Sequence, residues 1–141
     1  MKIIYIKLFL RASIALGFLS AVADRFGWWP KENSAWGNWE SFIEYTKVIN
    51  SWASDGMANI LGVTATIAEV VFALFLIIGF KTSFFAKLSG ILLLLFGLAM
   101  TFTIGIKAPL DYSVFSAAAA CFGLSLIKEK YLEIDILLNK K

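Results

Sequence analysis

The stretch Ile60-Leu-Gly-Val-Thr-Ala-Thr-Ile-Ala-Glu69-Val-Val-Phe-Ala-Leu-Phe-Leu-Ile-Ile-Gly79 decides the fold: it is almost wholly apolar, yet it carries one carboxylate at its middle. A helix needs about 20 apolar residues, at ~1.5 Å each, to cross roughly 30 Å of hydrocarbon. This run is long enough. A charged side chain at the centre of such a helix costs at least ~2.5–3.5 kcal/mol, so Glu69 is expected to be paired or functional.

Four runs of this kind occur, at about 4–23, 57–80, 84–106 and 109–127. The 141 residues are 60% hydrophobic and only 16% charged, against about 25% charged in soluble domains. A soluble bundle would need a polar stripe on each helix, and runs 84–106 and 109–127 have almost none. The expectation is therefore one domain over 1–141, an all-α membrane protein built as an antiparallel four-transmembrane-helix bundle. Residues 1–23 also have the basic start, apolar stretch and Ala21-Val22-Ala23 ending of a secretory signal. Arg11 interrupts that apolar stretch, so the segment is read as the first membrane helix.

There is no His, and Cys121 is the one Cys. That excludes an intrachain disulfide, His-ligated haem, His acid–base catalysis and a Cys-rich metal centre, so no metal site is expected. Cys121 is read as a small packed hydrophobe. The net charge of +3 does not point to nucleic acid, because the cations sit at helix ends.

Those cations set the topology. Lys2 and Lys7 lie at the N-terminal end, Lys81 and Lys87 fill the 81–87 turn, and Lys128, Lys130, Lys140 and Lys141 follow the last run. The 24–56 connection is net acidic: Arg25, Lys31 and Lys47 oppose Asp24, Glu32, Glu40, Glu44 and Asp55. Lys107 in the last connection is answered by Asp111. The positive-inside rule then puts both termini on the cytoplasmic side of a plasma (inner) membrane and the 24–56 segment outside.

All five Trp lie in that outer segment. Trp36, Trp39, Ile43, Thr46, Ile49 or Asn50, and Trp52 or Ala53 recur at helical spacing, with Glu40, Glu44 and Lys47 on the other side. This predicts an amphipathic interfacial helix between membrane helices 1 and 2, serving as an anchor or as a lid over the outer mouth of the bundle. Small residues mark packing faces: Ala86, Gly90, Gly97, Thr101 and Gly105 in the third run, and Ser113, Ser116, Ala117, Ala120 and Cys121 in the fourth.

Two polar groupings stand out. Arg11 and Glu69 fall at similar depth on consecutive antiparallel helices, and Gly62, Ala65, Thr66 and Ala73 beside Glu69 turn it toward the bundle. They are expected to form a buried ion pair that either fixes helix register or holds a lipophilic ligand such as a quinone head group. Asp24, Arg25, Lys107, Asp111 and Tyr112 form the outer grouping. Asp24 and Arg25 read as an interfacial pair, and Asp111, after Pro109, reads as a cap on the fourth helix.

Three stretches resemble the DoxX-like family of small membrane proteins: Leu10-Arg11 through Phe26-Gly27, Glu69 through Gly79-Phe80-Lys81-Thr82, and Lys107-Ala-Pro109-Leu-Asp111-Tyr112-Ser113-Val114-Phe115 together with Trp36-Gly37-Asn38-Trp39. The resemblance implies a bacterial four-helix inner-membrane protein with Arg11 and Glu69 as its site residues. Some members are subunits of a thiosulfate:quinone oxidoreductase, which implies a quinone- or lipid-associated subunit of a redox-linked complex, with quinone as a possible cofactor. The alternative is a non-enzymatic hydrophobic-ligand binder or an assembly scaffold, partnered by lipids or by copies of itself. With no thiol pair or metal motif here, electrons would come from a partner subunit.

Overall fold

Two buried stripes with the same spacing organise the molecule. Lys7, Arg11, Ala15, Phe18, Val22 and Arg25 are buried on α1 (Ile3–Arg25), and Ala58, Gly62, Thr66, Glu69, Ala73 and Leu76 on the helix that follows the outer segment, Asp55–Ile78. Steps of three and four residues keep one face inward, the pattern of helices that cross at shallow angles. The computed structural model describes residues 2–138; Lys140 and Lys141, counted above among the tail cations, lie outside them.

The elements in order are α1, a 3₁₀ turn at Lys31–Asn33, α2 (Trp39–Ile49), α3 (Asp55–Ile78), α4 (Thr82–Ile104), α5 (Lys107–Asp111), α6 (Val114–Leu126) and α7 (Ile134–Leu138). The described residues are all-helical, without strands. Three helices, α1, α3 and α4, are long and apolar enough to cross a membrane, which is consistent with a helical membrane protein. The 109–127 run is not one helix. Its residues divide between α5 and α6, with Ser113 in the left-handed region at φ 57° between them. α6 has 13 residues. At about 1.5 Å per residue it reaches roughly 20 Å, short of the ~30 Å hydrocarbon layer.

Gly90 and Gly97 of α4 do the packing expected of them, whereas Gly105, just after α4, has nothing within 4 Å of its Cβ position, and Ser113 and Ser116 are exposed. A Cβ on Gly90 would stand 2.8 Å from the Phe122 ring, and one on Gly97 would stand 2.7 Å from the Phe115 ring. α4 and α6 thus meet with phenylalanines seated in glycine notches, and theirs is the most extensive helix contact, followed by that of α1 with α3. Cys121 is fully buried in α6, as its reading as a packed hydrophobe requires.

α2 keeps its amphipathic pattern. Phe42, Thr46, Ile49 and Ala53 are buried, while Glu40, Glu44 and Lys47 are exposed. Asn38 caps it by accepting from Ser41 N–H at 2.8 Å. The buried face lies on α3, where Gly62 makes room: a Cβ there would collide with Ile43 Cδ1. α2 is therefore docked on the bundle. Trp52, offered with Ala53 as the end of the face, is 70% exposed.

Candidate functional site

Arg11 and Glu69 are each buried, but they do not pair with each other. Glu69 binds Arg25: Nη1 lies 2.6 Å from Oε2, and Nη2 donates to Oε1 at 2.9 Å. Equal Cα depth does not pair Arg11 with Glu69, because side-chain direction decides which groups meet. Long side chains on a helix lean toward its N-terminus. On antiparallel helices, Arg11 therefore leans away from Glu69 and toward its own helix start, whereas Arg25 and Glu69 lean toward each other.

The Arg25 guanidinium lies among several partners. Nη1 also donates to Thr66 Oγ1 at 2.7 Å, and the Thr66 hydroxyl donates onward to Gly62 O at 2.8 Å. Cζ sits 4.0 Å from the centre of the Phe42 ring and 5.5 Å from that of Trp36. Phe42 packs on both tryptophans, its ring 5.2 Å from that of Trp36 and 5.4 Å from that of Trp39. The charged pair is thus covered by α2 and the loop before it, and both residues are only 2% exposed. Two polar atoms of the pair remain without a hydrogen-bond partner among the described residues: Arg25 Nε, and Glu69 Oε2, whose close contact with Nη1 is ionic.

Asp24, expected to pair with its neighbour Arg25, serves the cover instead. Its carboxylate accepts from the Ser34 hydroxyl, from Ala35 N–H at 3.0 Å and from Trp36 N–H at 2.9 Å. This fixes the loop that carries Trp36. Beside it, Gly27 at φ 70° lets Gly37 O approach to within 2.9 Å of where a Cβ would be. Asp24 also lines an open cleft of about 410 Å³ with Trp29, Trp36 and Gly17. The remaining outer residues stand apart. Lys107 donates to Asp111 within the exposed turn α5, and Tyr112 is 75% exposed. Asp111 ends α5 and does not cap α6, which begins after Ser113 without any side-chain cap.

Arg11 does something the sequence did not suggest: it binds four backbone carbonyls. Nε donates to Leu76 O at 2.8 Å and Nη2 to Ile77 O at 2.9 Å, both at the carbonyl-rich end of α3. Nη1 and Nη2 reach Tyr131 O and Leu132 O, each at 2.9 Å. Lys7 lies 2.6 Å from Glu133 Oε1 and donates to Glu129 O at 2.7 Å, while Asp135 accepts from Lys81 N–H at 2.9 Å. The tail thereby straps the ends of α1, α3 and α4 together. A usable signal existed: Lys7 and Arg11 are four residues apart on one buried face, and two cations on such a face call for an acid, supplied by Glu133.

Among the described residues, no three His, Cys, Asp or Glu side chains gather into a metal site. The Arg25–Glu69 centre leaves one buried N–H donor, Arg25 Nε, without an acceptor among the described residues, on a guanidinium that lies against the Phe42 ring. No family model, curated protein or solved structure matches this chain.

Proposed function

We propose that this protein is a multi-pass membrane protein that holds the polar head of a lipophilic molecule, of the quinone class, between Arg25, Glu69 and Thr66. The observation that carries this reading is Arg25 Nε, a buried donor with no acceptor among the described residues, in the same centre as Glu69 Oε2, which is held only by its ionic contact with Nη1. Such groups are costly when unsatisfied. A carbonyl oxygen of a quinone would accept from Nε–H, and a hydroquinone hydroxyl would donate to Glu69 Oε2. Trp36 and Phe42 supply flat apolar surface for a ring. The DoxX-like resemblance supports the same ligand class and a role as a redox-linked subunit, with electrons supplied by a partner protein.

The membrane arrangement belongs to this reading. α5 and α6 together complete a fourth crossing, antiparallel to α4. Residues 129–133 lie against Lys7, which supports placing both termini on one side. Lys81 and Lys128 gather at that end, which supports assigning it to the cytoplasm of an inner membrane.

The test is organic extraction of the purified protein with mass spectrometry, followed by menaquinone titration read by Trp fluorescence. A quinone is expected to co-purify, and Thr66→Val, which leaves the ion pair in place, is expected to weaken binding by about tenfold, or ~1.4 kcal/mol. Absence of quinone from the extract, with unchanged binding in both Thr66→Val and Glu69→Gln, would leave the pair as a register lock in a scaffold or in a binder of some other hydrophobic molecule.

A further inference from the structure

At the opposite end of the helices from Trp36, a cleft of about 330 Å³ opens where α4 begins. We propose that it binds the phosphate of an anionic phospholipid. This rests on the membrane reading of α1, α3 and α4 and is independent of the Arg25–Glu69 site. Four lysines line the cleft, Lys7, Lys81, Lys128 and Lys130, against two carboxylates, Glu133 and Asp135. Lys7 is neutralised by Glu133 at 2.6 Å. That leaves three exposed lysines against Asp135, which is held on Lys81 N–H.

Thr82 supplies the second observation. It is the first residue of the 23-residue helix α4, it lines the cleft, it is 2% exposed, and its Oγ1 has no hydrogen-bond partner among the described residues. The other buried threonines solve this problem within their own helix: Thr46 donates to Phe42 O and Thr66 to Gly62 O, each at 2.8 Å. Thr82 has no such carbonyl, because the residue four positions earlier, Ile78, ends the preceding helix. A buried hydroxyl, a helix N-terminus and three lysines converge on one cleft, a combination suited to phosphate oxygens. Phe84 on the rim is 54% exposed and sets apolar surface directly beside the cationic cleft, as the glycerol and acyl chains of a lipid require. A free phosphate would have no use for that rim. Basic pockets at helix ends recognise anionic headgroups in this way.

The experiment is native mass spectrometry of the detergent-purified protein with equal phosphatidylglycerol and phosphatidylcholine, with and without excess inorganic phosphate. Phosphatidylglycerol is expected to be retained in preference, with about a fivefold loss of preference for each of Lys81, Lys128 and Lys130 changed to Gln. Thr82→Val should lower retention with all lysines present. Lys2→Gln with Lys87→Gln, outside the cleft, should leave it unchanged. Equal binding of both lipids, or equal loss in the Lys2/Lys87 control, would overturn the site. Complete displacement by inorganic phosphate would assign the cleft to a free anion and overturn the lipid assignment.

Discussion

Arg25 grips both carboxylate oxygens of Glu69, at 2.6 and 2.9 Å, from the far end of the neighbouring helix. The pair joins the last turn of α1 to the middle of α3, and α2 closes over it. Desolvating two charges is expensive, and their attraction offsets that only while both are present. Glu69→Ala should therefore destabilise the protein by about 3–5 kcal/mol, the usual loss when one partner of a buried pair is removed. The double variant Arg25→Met with Glu69→Leu should recover more than half of that loss. Thermal unfolding in detergent measures both, and simple addition of the two single losses would mean the residues are not coupled.

Arg11 is a clamp, and its geometry matters more than its charge. Arg11→Lys keeps the cation but replaces a planar fork with a compact ammonium that has three donors. It cannot reach two carbonyls of α3 and two of the tail together. Charge-assisted hydrogen bonds contribute about 1.5–3 kcal/mol each, so the tail should loosen. Trypsin should then cut after Lys128 and Lys130 faster than in the parent protein. An unchanged cleavage rate would show that Arg11 does not hold the tail.

The long apolar runs, the amphipathic α2 and the cost of burying Glu69 were legible because each depends on periodicity or hydropathy alone. The identity of Glu69's partner was not, because it depends on which way Arg25 leans from its helix end. Arg11 was opaque for a different reason: its acceptors are main-chain carbonyls, and any residue supplies those. The tail at 129–135 carries no apolar run, and its role appears only once Lys7 and Arg11 are seen on one buried face. The break at Ser113 was hidden inside an apolar stretch that hydropathy reads as continuous.

Two glycines separate backbone need from packing need. Gly79 adopts φ 70° after α3, and a Cβ there would stand 2.6 Å from Glu133 Cα and 2.7 Å from Arg11 Nη2. Gly79→Ala should cost more than the ~1 kcal/mol of a left-handed alanine, because tail backbone must also move. Gly17 in α1 has nothing within 4 Å of its Cβ position. Gly17→Ala should be neutral or stabilising by up to about 1 kcal/mol. Chemical denaturation of both variants checks the contrast, and equal effects would contradict it.

Tyr45 gives the cover over Arg25 an alkaline limit. Its ring lies 5.9 Å from that of Trp36. Burial, with a smaller contribution from nearby Tyr112, pushes its phenol above the ordinary value of 10.0. The folded protein thus keeps a proton that the unfolded chain releases. This contribution to stability is fully present below pH of about 10 and declines as pH rises through and beyond that value. Trp fluorescence during an alkaline titration should report loosening of the cover. Tyr45→Phe removes the phenol, so its cover should hold to higher pH than the parent's. Coincident titration curves for the two proteins would show that Tyr45 does not couple proton release to the cover.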